Sequence, residues 1–190
     1  MSDQVYIPIT GHVKIVDKTT GEVLLDKNNA IHPQNMARVI ARGLAHEPNA
    51  WVFKLALGNG GTHINSGQQI AYLPPITSGI GAQLYNQTYE EQIDEVDSAT
   101  PVNNSCISAA SPAPALTSVV TCTMELDSTE PNSQQPTDTN VTNPDDIFAF
   151  DELCLKSQDG MMLSHIVFSP IQKTSNRAIL ITYTLTISVS

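Results

Sequence analysis

The stretch that decides the fold lies near the C-terminus and reads Ile179-Leu180-Ile181-Thr182-Tyr183-Thr184-Leu185-Thr186-Ile187-Ser188-Val189. Every second residue from Ile179 onward is large and apolar. Successive side chains of a β-strand point to opposite faces of a sheet, so this period of two predicts a strand with one buried face. The other face carries Thr182, Thr184, Thr186 and Ser188. Such a strand can be internal to a β-sandwich, or it can offer its Thr face or its backbone to a partner.

Two β-hairpins are predicted upstream of this strand. In residues 1–28, the apolar residues Val13, Ile15 and Val16 and those at 23–25 flank a polar turn at 17–22 that contains a late glycine. Closer to the C-terminus, Asp159-Gly160 joins two apolar arms. An Asp-Gly pair between apolar arms is a strong hairpin signal, because glycine readily adopts the positive φ of a tight turn.

One amphipathic α-helix is predicted, over about residues 33–46. Pro33 suits its first position, where a missing N–H costs no intrahelical hydrogen bond, and Pro48 cannot continue the helix. Apolar residues recur between them at steps of three and four, which predicts one buried stripe. The residues expected to form this helix core are Met36, Val39, Ile40 and Leu44.

Length and composition favour one mainly β, β-sandwich-like domain spanning residues 1–190. The chain is 41% hydrophobic and 15% charged, so Ser, Thr, Asn and Gln must cover much of its surface. Residues 97–145 are predicted to be a loop or hairpin excursion around a strand at 118–126. The segments 97–117 and 127–145 hold few large apolar side chains, so we expect long loops that become ordered on assembly.

The net charge and the N-terminal sequence indicate which classes of partner are disfavoured. The net charge of −10, from 19 acidic and 9 basic side chains, disfavours nucleic acid and anionic membrane surfaces. The N-terminus has no secretory signal, and no run approaches the ~20 apolar residues of a membrane helix. The three cysteines, Cys106, Cys122 and Cys154, form no C-x-x-C pair. We expect them to be reduced and semi-buried, as suits synthesis in a bacterial cytoplasm.

No motif points to catalysis, a cofactor or a metal. The cluster Gly58-Asn59-Gly60-Gly61-Thr62 lacks the Lys of a phosphate-binding loop, and no G-x-G-x-x-G opens a helix. The histidines show no metal-ligand spacing, and Cys154 has no neighbouring base. We therefore expect no enzyme and no cofactor, and we assign a structural turn role to Gly58, Asn59, Gly60, Gly61, Asp159 and Gly160.

Three stretches, taken in order, carry a resemblance. The first runs from the predicted helix to Phe53-Lys54-Leu55-Ala56-Leu57-Gly58-Asn59-Gly60-Gly61-Thr62. The second is Pro74 or Pro75 followed by Leu84-Tyr85-Asn86-Gln87-Thr88-Tyr89. The third is Phe150-Asp151-Glu152-Leu153-Cys154-Leu155-Lys156-Ser157-Gln158-Asp159-Gly160-Met161-Met162-Leu163, before the closing strand. This order resembles the N-terminal docking domain of phage tail-collar fibre proteins, with Asn59 in place of an Asp and Cys154 in place of a Gly.

The resemblance implies a docking domain without the fibre shaft. We expect a neck, collar or tail-attachment subunit of a tailed-phage virion, which forms homo-oligomers at the head–tail junction. Its neighbours would be portal, connector, tail or fibre proteins. Two alternatives stay open: a capsid decoration protein, and a carbohydrate-binding β-domain. The latter would need an aromatic platform from a chain with one Trp and five Tyr.

Overall fold

The computed structural model describes residues 6–93, 104–111, 116–131 and 148–189. In these ranges the chain forms eleven β-strands and one α-helix. In chain order they are β1 (Ile9–Asp17), β2 (Val23–Ile31), α1 (Pro33–Leu44), β3 (Val52–Gly58), β4 (Thr62–Ile64), β5 (Ile70–Tyr72), β6 (Gln87–Gln92), β7 (Ser105–Ala110), β8 (Thr117–Leu126), β9 (Phe148–Ser157), β10 (Met162–Lys173) and β11 (Ile179–Ser188). The predicted mainly β domain with one helix is confirmed.

Nine of the described strands form one antiparallel sheet in the order β6-β3-β9-β10-β2-β1-β11-β8-β7. The sheet curls into a half-barrel, and β4 and β5 form a small separate hairpin. A single hydrophobic cluster draws buried side chains from both halves of the sheet, from Leu55 in β3 to Met124 in β8. Curling thus lets one sheet bury a core between its own halves, as two sheets do in a sandwich.

The decisive C-terminal strand is β11, and it is internal. Ile179, Ile181, Tyr183 and Leu185 are each at most 3% exposed, while the residues between them are only partly buried. Along its length β11 pairs with β1 on one side and β8 on the other. Its backbone groups are therefore used within the subunit, so the alternative in which β11 adds to a partner's sheet is wrong. The edge strands are β6 and β7.

The two halves of the sheet meet where β10 lies beside β2. Among the described residues, register pairs across this seam occur at Ser164 opposite Ile31 and His165 opposite Ala30. The N–H of His32 donates to the Leu163 carbonyl at 2.9 Å, just beyond the end of β2. By contrast, β10 and β9 pair over most of their length.

The helix begins as predicted but ends earlier. His32 is its N-cap, with Nδ1 accepting the N–H of Asn35 at 3.2 Å, and Pro33 occupies the first turn. The helix ends at Leu44 rather than 46, because His46 adopts a positive φ of 56° that cannot continue a right-handed helix.

The predicted helix core is half wrong. Met36 and Val39 are buried, but Ile40 is 36% and Leu44 79% exposed. Asn35 takes the third buried position, and its Nδ2 donates to the Met162 carbonyl at 2.9 Å. This hydrogen bond holds the Asn35 side of the helix against β10, so the Ile40 and Leu44 side turns away from the core.

Part of the predicted loop region is ordered within the sheet. Ser105–Ala110 form β7, which pairs with β8, so these residues fit the hairpin alternative for 97–145, and the expectation of a long loop over them is wrong. Thr117–Leu126 matches the strand expected at 118–126. The remaining parts of both segments lie outside the described residues, and their ordering on assembly stays a prediction.

We expect two alanine substitutions to separate the core from the exposed helix side. Ile181→Ala should lower the free energy of unfolding by roughly 2–5 kcal/mol, because it leaves a cavity under β11. Leu44→Ala should change it by less than about 0.5 kcal/mol, because that side chain is mostly in solvent. Urea denaturation followed by fluorescence measures both. Similar losses for the two variants would contradict this assignment of the core.

Candidate functional site

Backbone N–H groups of the glycine turn at residues 58–62 donate hydrogen bonds to two carboxylates of the same chain. Asp151, in β9, accepts hydrogen bonds from the N–H groups of Gly61 and Thr62, at 2.8 and 2.9 Å. It also accepts the hydroxyl of Thr62 at 2.5 Å. The turn closes on Asp151 because three of its donors point at this one carboxylate.

Glu152 lies next to Asp151 and is fully buried. Its Oε1 accepts the N–H of Asn86 at 2.7 Å and that of Gly60 at 3.2 Å. Its Oε2 accepts the N–H of Tyr85 at 3.0 Å and lies 3.1 Å from Nε2 of His165. We call Asp151, Glu152 and their donors the carboxylate node.

His165 joins a third segment to the node. The N–H of Ile76 donates to its Nδ1 at 2.9 Å, so the ring proton lies on Nε2 and is donated to Glu152. Burial acts to raise the pKa of Glu152. The hydrogen bonds from His165 and from the backbone of Asn86, Tyr85 and Gly60 outweigh it, and the pKa lies below its usual value.

The hydrogen bonds of the carboxylate node indicate a structural role. The N–H groups that a phosphate-binding loop would offer to a ligand are already used by Asp151 and Glu152. Glu152 and His165 could be mistaken for an acid–base pair, but both side chains are shielded from solvent. The arrangement is therefore suited to holding loops in place and offers a substrate no approach to the pair.

The predicted turn residues fall into two separate places. Gly60 and Gly61 donate within the carboxylate node, and Gly58 and Asn59 lie beside it, where the side chain of Asn59 accepts Nδ2 of Asn86 at 2.6 Å. Asp159 and Gly160 lie in the β9–β10 turn. There Gly160 has a φ of 84°, and Asp159 accepts the Ser157 hydroxyl at 2.5 Å and pairs with Arg42 of α1.

Sequence reasoning missed Asp151, Glu152 and His165. A signal was available, because two adjacent carboxylates stand in the otherwise apolar stretch from Phe148 to Leu155. Charged side chains are rarely buried without partners, so a buried strand with two of them requires donors from elsewhere. Which donors they are depends on loops that the local pattern does not position.

An open apolar cavity of about 490 Å³ lies beside α1 and forms what we call the α1 groove. One wall is the helix side that carries Ile40 and Leu44, and the other is the extended segment from Tyr6 to Ile9. Tyr6 and Ile7 are themselves largely exposed. Grouped apolar side chains at a surface mark sites of interaction more often than isolated ones do.

A second exposed apolar feature is the pair Ile64 and Ile70, which flanks the polar turn at residues 65–69 of the β4–β5 hairpin. We call this pair the hairpin tip. Ile64 and Ile70 lie directly opposite each other across its two strands. Ile64 is 67% exposed, and Ile70 is also largely in solvent. At the base of the hairpin, the hydroxyl of Tyr72 lies 2.6 Å from that of Ser169 in β10. The hairpin thus presents an apolar tip from an anchored base.

Other kinds of site find little support in the described part of the chain. No three His, Cys, Asp or Glu side chains within it converge to hold a metal ion. Among the same residues, no helix is both long and apolar enough to cross a membrane. No protein-family model, curated protein or solved structure matches the chain. The two apolar surfaces are thus the candidate functional site.

We expect Glu152→Gln to lower the free energy of unfolding at pH 7 by roughly 2–4 kcal/mol, because a neutral amide cannot replace the carboxylate for four donors. The folded pKa of Glu152 is depressed, so its contribution is present above the unfolded value of about 4.3 and is lost as pH falls through the folded pKa.

The difference between wild type and Glu152→Gln should therefore shrink on acidification. Chemical denaturation from pH 7 to pH 3 measures it. Glu47→Gln, on an exposed carboxylate, is the matched control and should leave stability unchanged. A difference that stays constant with pH would mean that the charge of Glu152 contributes nothing.

Two glycine substitutions test how closely the chain approaches at the node. A Cβ added to Gly60 would lie 2.7 Å from the Asn86 nitrogen and 2.8 Å from the Cβ of Tyr85. Gly60→Ala should therefore destabilise the protein by roughly 1–3 kcal/mol. Gly43→Ala, in α1, would meet its nearest neighbour at 3.6 Å and should stabilise by up to about 1 kcal/mol. Thermal unfolding of both variants gives the comparison, and equal effects would contradict it.

Proposed function

We propose that this protein is a structural subunit of a tailed-phage virion, located at the neck or collar. There it oligomerises at the head–tail junction and docks neighbouring tail or fibre proteins. It is made in the bacterial host cytoplasm and works in the virion. It acts through surfaces, without catalysis and without a cofactor.

The observation that carries this proposal is the meeting of three distant stretches at the carboxylate node. Gly60 and Gly61 come from the first stretch that resembles tail-collar fibre proteins. Tyr85 and Asn86 come from the second, and Asp151 and Glu152 from the third. Short motifs that resemble a family by chance have no reason to meet in space. Their convergence supports reading them as parts of one docking fold.

The α1 groove supplies the contact surface that a ring-forming subunit needs. None of the residues that the structure describes covers its apolar lining, although burial of such surface is worth roughly 25 cal/mol per Å². We assign the groove to a second copy of this chain, and we assign the β4–β5 hairpin tip of that copy as the element that fills it. Both features are apolar, and in the described part of the chain neither covers the other.

A contact between two different surfaces of the same protein is head-to-tail. Repeating it around an axis gives a closed ring when the rotation closes, as required around a head–tail junction. The net charge of −10 disfavours contact with the packaged DNA and leaves basic surfaces of portal or tail proteins as neighbours.

The alternatives differ in measurable ways. A decoration protein would be present at hundreds of copies per particle, whereas a ring has a small multiple of the tail symmetry. A carbohydrate-binding domain would bind glycans as a monomer. Copy number in purified virions and glycan binding by the isolated chain therefore separate these functions.

We expect Leu44→Asp and Ile64→Asp each to abolish ring formation and leave folded monomers. Leu44→Asp places a charge in the α1 groove, and Ile64→Asp places one on the hairpin tip; both positions are mostly exposed, so the fold tolerates them. Light scattering after size-exclusion chromatography measures mass. Val23→Asp, at an exposed apolar residue outside both surfaces, is the control and should assemble normally.

Mixing the two monomeric variants tests the head-to-tail geometry. The Leu44→Asp chain keeps an intact hairpin, and the Ile64→Asp chain keeps an intact groove, so the mixture should form 1:1 heterodimers and stop there. If Leu44→Asp still forms rings, or if the mixture stays monomeric while wild type assembles, the proposed contact is wrong.

A further inference from the structure

Cys106 and Cys122 face each other across two neighbouring strands. Cys106 lies in β7 and Cys122 in β8, directly opposite in the antiparallel register. Their Sγ atoms are 2.9 Å apart, and both are free thiols. Cys122 is fully buried and lies opposite Tyr183 of β11, while Cys106 is partly exposed at the rim of the core.

The backbone already has the geometry that a disulfide requires. Directly opposed residues of antiparallel strands have Cα atoms about 4.5–5.5 Å apart, which lies inside the roughly 4.4–6.8 Å range of disulfides. A disulfide bond is about 2.05 Å long, so the sulfurs need to approach by roughly 0.9 Å. Side-chain rotation supplies such a movement without displacing either strand.

We propose that Cys106 and Cys122 are a redox-active pair that forms a disulfide across the β7–β8 ladder in an oxidising environment. The pair stays reduced in a reducing compartment and closes outside it. The assignment stands independently of the virion role proposed above, because it follows from the register of two strands.

The oxidant is a low-molecular-weight disulfide. Cys106 loses its proton, and its thiolate attacks one sulfur of that disulfide, forming a mixed disulfide and releasing one small thiolate. The Cys122 thiol then loses its proton and attacks Sγ of Cys106, which releases the second small thiolate. Two protein thiols are oxidised, one small disulfide is reduced to two thiols, and the protons pass to the thiolates released.

Exposure and hydrogen bonding assign the order of attack. Cys106 is the more accessible thiol, and the hydrogen bond between the two sulfurs lowers the pKa of Cys106. The same hydrogen bond and burial raise the pKa of Cys122. The first thiolate therefore forms at Cys106, and Cys122 resolves the mixed disulfide.

Cys154 provides an internal control. It lies in β9 opposite Ala56 and His165, so no cysteine faces it across either strand. Burial raises the pKa of its thiol to about 12. It should remain a thiol under conditions that oxidise the pair.

The disulfide would fasten an edge of the sheet. β7 is an edge strand, bonded on one side to β8, and its C-terminal half from Ser108 to Ala110 is exposed. Among the described residues, β7 is held mainly by its ladder with β8, so its opening depends on that ladder. A covalent bond at Cys106 removes that opening and leaves the rest of the sheet unchanged.

The test uses the full chain, reduced and then incubated with oxidised glutathione at pH 8 without denaturant. Free thiols should fall from three to one, and peptide mapping by mass spectrometry should show a Cys106–Cys122 link. The melting temperature should rise by roughly 6–12 °C. Hydrogen exchange of the β7 amides should slow.

Three variants complete the design. Cys154→Ala should oxidise as wild type does, whereas Cys106→Ser and Cys122→Ala should show neither the link nor the rise in melting temperature. Three results would overturn the proposal: no link while a reference dithiol peptide is fully oxidised, a stable glutathione adduct at Cys106 without a link, or links between different chains only.

Discussion

Burying two adjacent carboxylates is the constraint around which this subunit is organised. A carboxylate removed from water is strongly destabilising unless donors surround it, and β9 places Asp151 and Glu152 side by side in the interior. The donors come from the turn after β3, from the segment before β6 and from His165 on β10. Because the two buried carboxylates must be hydrogen-bonded, they hold together segments about 90 residues apart in sequence. Glycine is needed at position 60 because Asn86 and Tyr85 would crowd a side chain there, and at position 61 because Val167 and Asp151 would.

Local pattern was enough to predict the strongest elements. The period of two in β11 predicted its buried face correctly from Ile179 to Leu185, since an internal strand under a curled sheet has one dry side. Ile187 is only partly buried, and Val189 is 42% exposed. Asp159-Gly160 predicted the β9–β10 turn because glycine there has a positive φ. Pro33 and the capping position before it predicted the start of α1. In each case the residues that determine the local structure lie close together in the sequence.

The predictions that failed concern residues whose packing or pairing partner lies far away in the sequence. Helical spacing correctly gave an apolar stripe in α1, but spacing cannot say whether a sheet or solvent covers it. A hydrogen bond from Asn35 to Met162 rotates the helix, and Ile40 and Leu44 become the wall of a groove. Likewise, the sequence separation of Cys106 and Cys122 gave no hint of pairing, because their opposition depends on the register of β7 against β8. The residues of β7 looked like a loop because their burial comes from a neighbouring strand.

The sheet should resist a mechanical load least along the seam between β10 and β2. Among the described residues, two register pairs, the His32 hydrogen bond to Leu163 and a hydrogen bond from Lys27 Nζ to the Val167 carbonyl join the halves there. By contrast, β1, β11 and β8 pair along their full lengths. A tensile load applied across the sheet is shared by few hydrogen bonds at this line and by many elsewhere. The helix α1 follows β2 directly, and Asn35 hydrogen-bonds it to Met162 of β10. It therefore adds a further connection across the seam. Such a load would open the seam first, and it would also have to expose the hydrophobic core that the half with the carboxylate node shares with the half that holds the cysteine pair.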